Sequence, residues 1–202
     1  MLLRQFLREF NYKVGKLEDD LTLIYISKLC IDENLYSKTI EIAPKLTDVI
    51  NVSNEAEAIF NSIGIDKKES AETLLIFGEL LMNAFEHGVL KLTPDEKQRL
   101  IENDEYDEYI ANFDNKEERE PIFIELNISK NKNATGLLKI SIKDPGSGFE
   151  FSEVLKTIYL DSGDRYSGRG VWMANDITDG VFFSETGNKT TFFKTIKLIG
   201  TF

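Results

Sequence analysis

Residues 70–88 read SAETLLIFGELLMNAFEHG, and this stretch decides the fold. At 100° per residue Leu74, Phe77, Leu81, Ala84 and Phe85 gather on one face of a helix. Glu79, Asn83 and His87 step by four and share the opposite face. Ser70 is a candidate N-cap, with acidic Glu72 in the first turn and Gly88 just past the end. A polar row on a helix is commonly just its solvated side. Here Ile76 and Leu80 border the row, so it could instead line a pocket.

Outward from this helix, the 202-residue chain alternates helical and strand patterns. Towards the N-terminus, Thr47 to Ile63 reads as a helix ended by Gly64, and Tyr36 to Ile42 as a strand. Leu2 to Asn11 has helical spacing, and Leu21 to Ser27 is rich in strand formers. Towards the C-terminus, residues 91–120 turn strongly acidic with sparse apolar positions, which predicts one or two exposed helices inserted in the domain. Strands follow at 122–129 and 137–143, with a turn over 131–136. A short helix is expected near 151–158 and another at 170–177. Strands at 180–184 and 190–198, joined through 185–189, finish the chain.

Two glycine turns carry further candidates. Asp144-Pro145-Gly146-Ser147-Gly148-Phe149 directly follows a strand. Its glycines admit close approach of a ligand, and a carboxylate at a strand end can accept a hydrogen bond from an exocyclic amine. Gly168-Arg169-Gly170 opens a helix, where backbone N–H groups favour phosphate. Each turn taken alone is an ordinary connection.

Composition narrows the function. Hydrophobic residues make up 42% and charged residues 29%, ordinary for a globular domain. A net charge of -11 argues against nucleic-acid or anionic-membrane surfaces. It leaves room for a single nucleotide held by backbone amides and Mg²⁺. No apolar run reaches transmembrane length and no signal-peptide layout opens the chain, so a cytoplasmic location is expected. Cys30 is the only cysteine, and His87 the only histidine. A Ser-His-Asp mechanism would need His87, and no nucleophile elbow accompanies it.

In order, Glu-x-x-x-Asn-x-x-x-His on a helix, Asp-x-Gly-x-Gly after a strand, and Gly-x-Gly before a helix resemble the Bergerat (GHKL-type) ATP-binding fold. The segments ELLMNAFEHG, KDPGSGF and SGRGVWMANDITDGVFFSETGN are most similar to the anti-sigma-factor serine kinase branch, over about residues 36–198. The resemblance implies an α+β, two-layer sandwich with a mixed, mostly antiparallel sheet, spanning residues 36–200 with the helical insert at 91–120. It implies ATP and Mg²⁺ as cofactors. It makes Glu79 the general base and Asn83 the Mg²⁺ ligand. His87 becomes a phosphate contact and Asp144 the acceptor of the adenine amino group. Gly146 and Gly148 shape the loop, Gly168, Arg169 and Gly170 close over the phosphates, and Thr191 reaches adenine through water.

Residues 17–28, LEDDLTLIYISK, resemble the end of a SpoIIE-type serine/threonine phosphatase domain, with Asp19 in the place of a metal ligand. That makes residues 1–30 a terminal fragment of such a domain, too incomplete to turn over substrate. Two functions stay open. One is an ATP-dependent serine kinase acting on an anti-sigma antagonist protein and sequestering a sigma factor. The other is a non-kinase ATP module that regulates a fused phosphatase or a protein partner. A homodimer is the expected self-association.

Overall fold

An alternating strand buries one face, and the apolar face of a sheet needs a layer of helices to cover it. The computed structural model follows this logic and describes residues 33–114, 120–131, 135–149 and 169–199. The terminal fragment with Asp19, the helix expected near 151–158 and Gly168 lie outside the described residues.

Five strands, β1 (Glu33–Ile42), β2 (Ile122–Lys130), β3 (Thr135–Lys143), β4 (Gly180–Phe183) and β5 (Lys189–Lys197), form one sheet in the order β1-β2-β3-β5-β4. Every pairing among them is antiparallel. The register aligns Ile124 with Ile142, Leu126 with Ile140 and Ile128 with Leu138, and Ile140 with Phe192 on the other side. All these side chains are buried. Cross-strand apolar pairs of this kind are what fix register, because a slip of one residue would turn the set to the other face.

Helices α1 (Leu46–Ile63) and α2 (Lys67–Asn83) supply the second layer. α1 buries Val49, Val52, Ala56 and Phe60, and ends on Gly64 in the left-handed conformation, as the sequence predicts. α2 buries Ile76, Phe77, Leu80 and Leu81. Ile76 and Leu80 therefore belong to the core rather than to the border of a pocket, and the buried stripe is wider than the sequence reading. The result is the two-layer α+β sandwich expected, and its sheet is antiparallel throughout the described strands.

The start of α2 corrects the sequence reading. Asp66, not Ser70, is the N-cap, its carboxylate accepting from the N–H groups of Lys68 and Glu69 at 3.0 and 3.4 Å. The reason is tertiary. Ile65 bridges Leu198, and the Asp66 N–H donates to the Lys197 carbonyl at 2.9 Å, so the chain must enter the helix there. Ser70 is left buried inside the helix.

The acidic insert forms two helices, α3 (Pro94–Glu102) and α4 (Tyr106–Asp114). Thr93 and Glu96 make a reciprocal capping box at the start of α3. The helices are not simply exposed. Leu100 and Ile110 are buried, and Phe113 meets Phe85 edge-on with ring centroids 6.4 Å apart. Most of the sparse apolar residues of this stretch turn to the core, whereas Ile101 is 50% exposed. Helix α5 (Arg169–Ile177) packs against α2 and completes the described elements.

Candidate nucleotide site

Helix α2 does not stop at Gly88. After Asn83 it continues as a π-helical turn, Ala84–Val89. The Leu90 N–H donates to the Phe85 carbonyl at 2.9 Å and the Leu92 N–H to the Glu86 carbonyl at 3.0 Å. Such a wide turn rotates the side chains that follow off the regular wheel. Gly88 thus lies inside a helical turn and is buried. It is a glycine because Asp144 lies against it: a Cβ there would stand 2.3 Å from Asp144 Oδ1. Gly146 closes the same corner, its Cβ position 2.7 Å from Asp144 Oδ1 and 2.8 Å from Gly88 Cα.

Asp144 continues the β3 ladder by donating its N–H to the Asn188 carbonyl at 3.0 Å. Its Oδ1 accepts from the Gly146 N–H at 2.8 Å. Oδ2 has no partner among the described residues. Burial raises the Asp144 carboxyl above the usual aspartate range, against the opposing pull of the Gly146 N–H and of His87. A half-buried carboxylate suits a ligand N–H donor. Gly148 holds a positive φ of 78° and passes so close to the Thr186 carbonyl that no side chain fits.

Glu79 and Asn83 share the polar face of α2, as the sequence predicts. The first turn of α5 sits directly on them. The Cβ position of Gly170 lies 3.1 Å from Glu79 Oε2 and 3.3 Å from Asn83 Nδ2. The backbone of Arg169 and Gly170 therefore begins a helix over this pair, where unsatisfied N–H groups favour anions. Along α2, Glu79 and Gly88 are separated by roughly 13 Å at 1.5 Å per residue. The carboxylate Asp144 marks one end of that line and the Glu79–Asn83 pair the other. A ligand with an amine-bearing base at one end and phosphates at the other fits this spacing. No group of three or more His, Cys, Asp or Glu side chains that could hold a metal ion occurs among the described residues.

Two sequence-predicted residues stand differently from their neighbours. His87 leaves the polar row at the π turn and is exposed, its Nδ1 donating to the Leu92 carbonyl at 2.6 Å. A carbonyl can only accept, so the proton is on Nδ1 and His87 clips the exit of the turn. Thr191 pairs with Ser141 and hydrogen-bonds its hydroxyl at 2.9 Å. By alternation that is the sheet face opposite Ile142 and Asp144. Thr190, in register with Ile142, shares the face of Asp144, and its hydroxyl has no partner among the described residues. Two adjacent threonines differ only in parity, which the sequence does not show and the register sets.

Residues 42–194 match the histidine kinase-like ATPase domain family. The chain belongs to this family. Its fold is accordingly that of an ATPase-type domain, and the family implies ATP binding. The crystal structure of the SiaB-SiaC complex from Pseudomonas aeruginosa is similar at a TM-score of 0.44 and 9% identity, covering 96% of this chain and 98% of that chain. No curated protein matches by sequence. Among the described residues of this ATPase domain, no single helix is long and apolar enough to cross a membrane.

Proposed function

We propose that the domain binds Mg²⁺-ATP and transfers the γ-phosphoryl group to a serine of a protein partner, as an anti-sigma-factor-type kinase in a partner-switching pathway. The observation that carries the reading is the pairing of two half-sites on one helix. Asp144 is wedged between Gly88 and Gly146, its Oδ1 accepting from the Gly146 N–H, and Glu79 with Asn83 lies beneath the opening turn of α5.

In this reading Asp144 accepts the adenine amino group, and Gly146 and Gly148 let the loop approach the base. Thr190 takes the role of the late-strand hydroxyl that the sequence reading gave to Thr191, since it shares the face of Asp144. Asn83 would hold Mg²⁺ through its side-chain oxygen, and the N–H groups of the Arg169–Gly170 turn would face the phosphates. Bound Mg²⁺-ATP supplies the phosphoryl group. Glu79 accepts the proton of the serine hydroxyl as its oxygen bonds to the γ-phosphorus and the bond to the β-phosphate oxygen breaks, leaving ADP. His87 contributes by holding the π turn closed.

Transfer of label from [γ-³²P]ATP to a candidate antagonist protein tests the kinase function. Saturable calorimetric binding of Mg²⁺-ATP with no transfer to any partner protein would instead favour a regulatory ATP module. No heat at millimolar nucleotide with the protein folded would sink both.

A further inference from the structure

The most deeply buried carboxylate of the described residues is not among those given a role above. Glu86 follows Phe85 in the π turn and is 2% exposed. Its two oxygens are divided between the inserted helices. Lys97 Nζ of α3 donates to Oε2 at 2.6 Å, and the Tyr106 hydroxyl at the start of α4 donates to Oε1. Burial, and then the Glu86 carboxylate, hold the Tyr106 phenol well above its ordinary titration range, so it stays a donor. Both oxygens are answered, and both answers come from the inserted helices.

The location gives this network a consequence. Glu86 is two residues before Gly88, whose backbone forms the wall behind Asp144 Oδ1. The π turn between them is wide, and its exit is held by the Leu90 and Leu92 N–H groups and by His87. The side chain of Glu86 is thus tied to α3 and α4 at one end of the turn whose other end seats Asp144.

The geometry points to Lys97 and Tyr106 as positioning residues of the inserted helices, which act through Glu86 to set base recognition at Asp144. This inference rests on the Mg²⁺-ATP reading and adds to it a specificity role for the insert. A buried carboxylate stripped of one donor rebalances by shifting its backbone or admitting water. Here that shift moves Gly88 against Asp144, so it weakens recognition of the adenine amino group more than it weakens the phosphate end.

The test uses calorimetry of the full chain with Mg²⁺-ATP and with Mg²⁺-ITP, whose base carries an oxygen in place of the amino group. The native chain is expected to prefer ATP. Tyr106→Phe and Lys97→Met should each lower ATP affinity roughly threefold to tenfold and leave ITP affinity nearly unmoved, shrinking the preference. Lys97→Arg, which keeps a donor, should restore it. Folding is checked by thermal melting, and Lys97→Met carries the test if Tyr106→Phe does not fold. Equal losses for ATP and ITP, or none for either, in folded variants would overturn the inference and leave the ATP site standing. A native chain that binds no ATP would overturn the nucleotide reading and this inference with it, and one that binds ATP and ITP alike would overturn base recognition at Asp144 and this inference while leaving nucleotide binding standing.

Discussion

The two halves of one continuous helix behave differently. From Lys67 to Asn83 the turn is regular, and residues four apart, Glu79 and Asn83, meet the same neighbour, Gly170. From Ala84 to Val89 the turn is π-helical, and the four-residue rule fails at once. His87 swings out to clip Leu92, while Glu86 turns inward to Lys97 and Tyr106. The regular half presents side chains, and the wide half presents backbone, at Gly88, for a carboxylate to rest on. The two half-sites therefore fail in different ways when altered, and this difference can be tested.

The largest effect is expected at the regular half. Glu79→Gln should keep Mg²⁺-ATP binding and lose about 10²- to 10⁴-fold in phosphoryl transfer, because the shape is retained while the base is removed. Label transfer and calorimetry on the same preparation separate the two readouts. Undiminished transfer would deny Glu79 the role of base. Asn83→Ala belongs to the same half but should act on the Mg²⁺-dependent part of affinity, seen by titrating ATP with and without the cation.

At the wide half, Asp144→Asn should weaken ATP binding by about 1.5–3 kcal/mol, the worth of a hydrogen bond to a charged acceptor. The raised carboxyl adds a pH signature. ATP affinity should fall on acidification starting above the ordinary aspartate range, since protonation removes the acceptor. In the free protein the sign is opposite. A folded-state value above the unfolded one means stability is greatest below the unfolded value and declines as pH rises through the folded one. The Asn variant should lack both trends. Its ATP affinity matching that of the native chain would reduce Asp144 to a turn residue.

Two glycines of the same helix sharpen the contrast. Nothing lies within 4 Å of a Cβ at Gly78, whereas one at Gly88 would overlap Asp144. Gly78→Ala should stabilise the fold by about 0.5–1 kcal/mol through helix propensity. Gly88→Ala should cost about 1–3 kcal/mol in stability and displace Asp144, with a matching loss of nucleotide affinity. Thermal melts that order the two variants the other way would contradict the packing described for the π turn. The smallest effect concerns the threonine pair. Thr190→Val should cost ATP affinity up to about 1 kcal/mol, and Thr191→Val should leave it unchanged while removing the bond to Ser141. Reversed results would return the adenine-side hydroxyl to Thr191.

Much of this molecule is legible in its sequence because its elements obey short periods. Alternating Ile122, Ile124, Leu126 and Ile128 marks a strand buried on one side, and Gly64 marks the end of α1. The order of the Glu79–Asn83 row, the Asp144 loop and the Gly170 turn is enough to expect an ATPase-type domain. These features depend on neighbours within one or two turns of chain. What the sequence leaves hidden depends on contacts between distant segments. The Asp66 cap follows from a bridge to Leu198, and the parity of Thr190 and Thr191 from a register 48 or more residues away. The π turn shows in no spacing, and it lies where Asp144 meets Gly88 and the inserted helices bond Glu86. Local spacing names the residues that can bind and react. Only packing between distant segments decides which way they face, since a turn of one residue, at little local cost, exchanges a buried side chain for an exposed one.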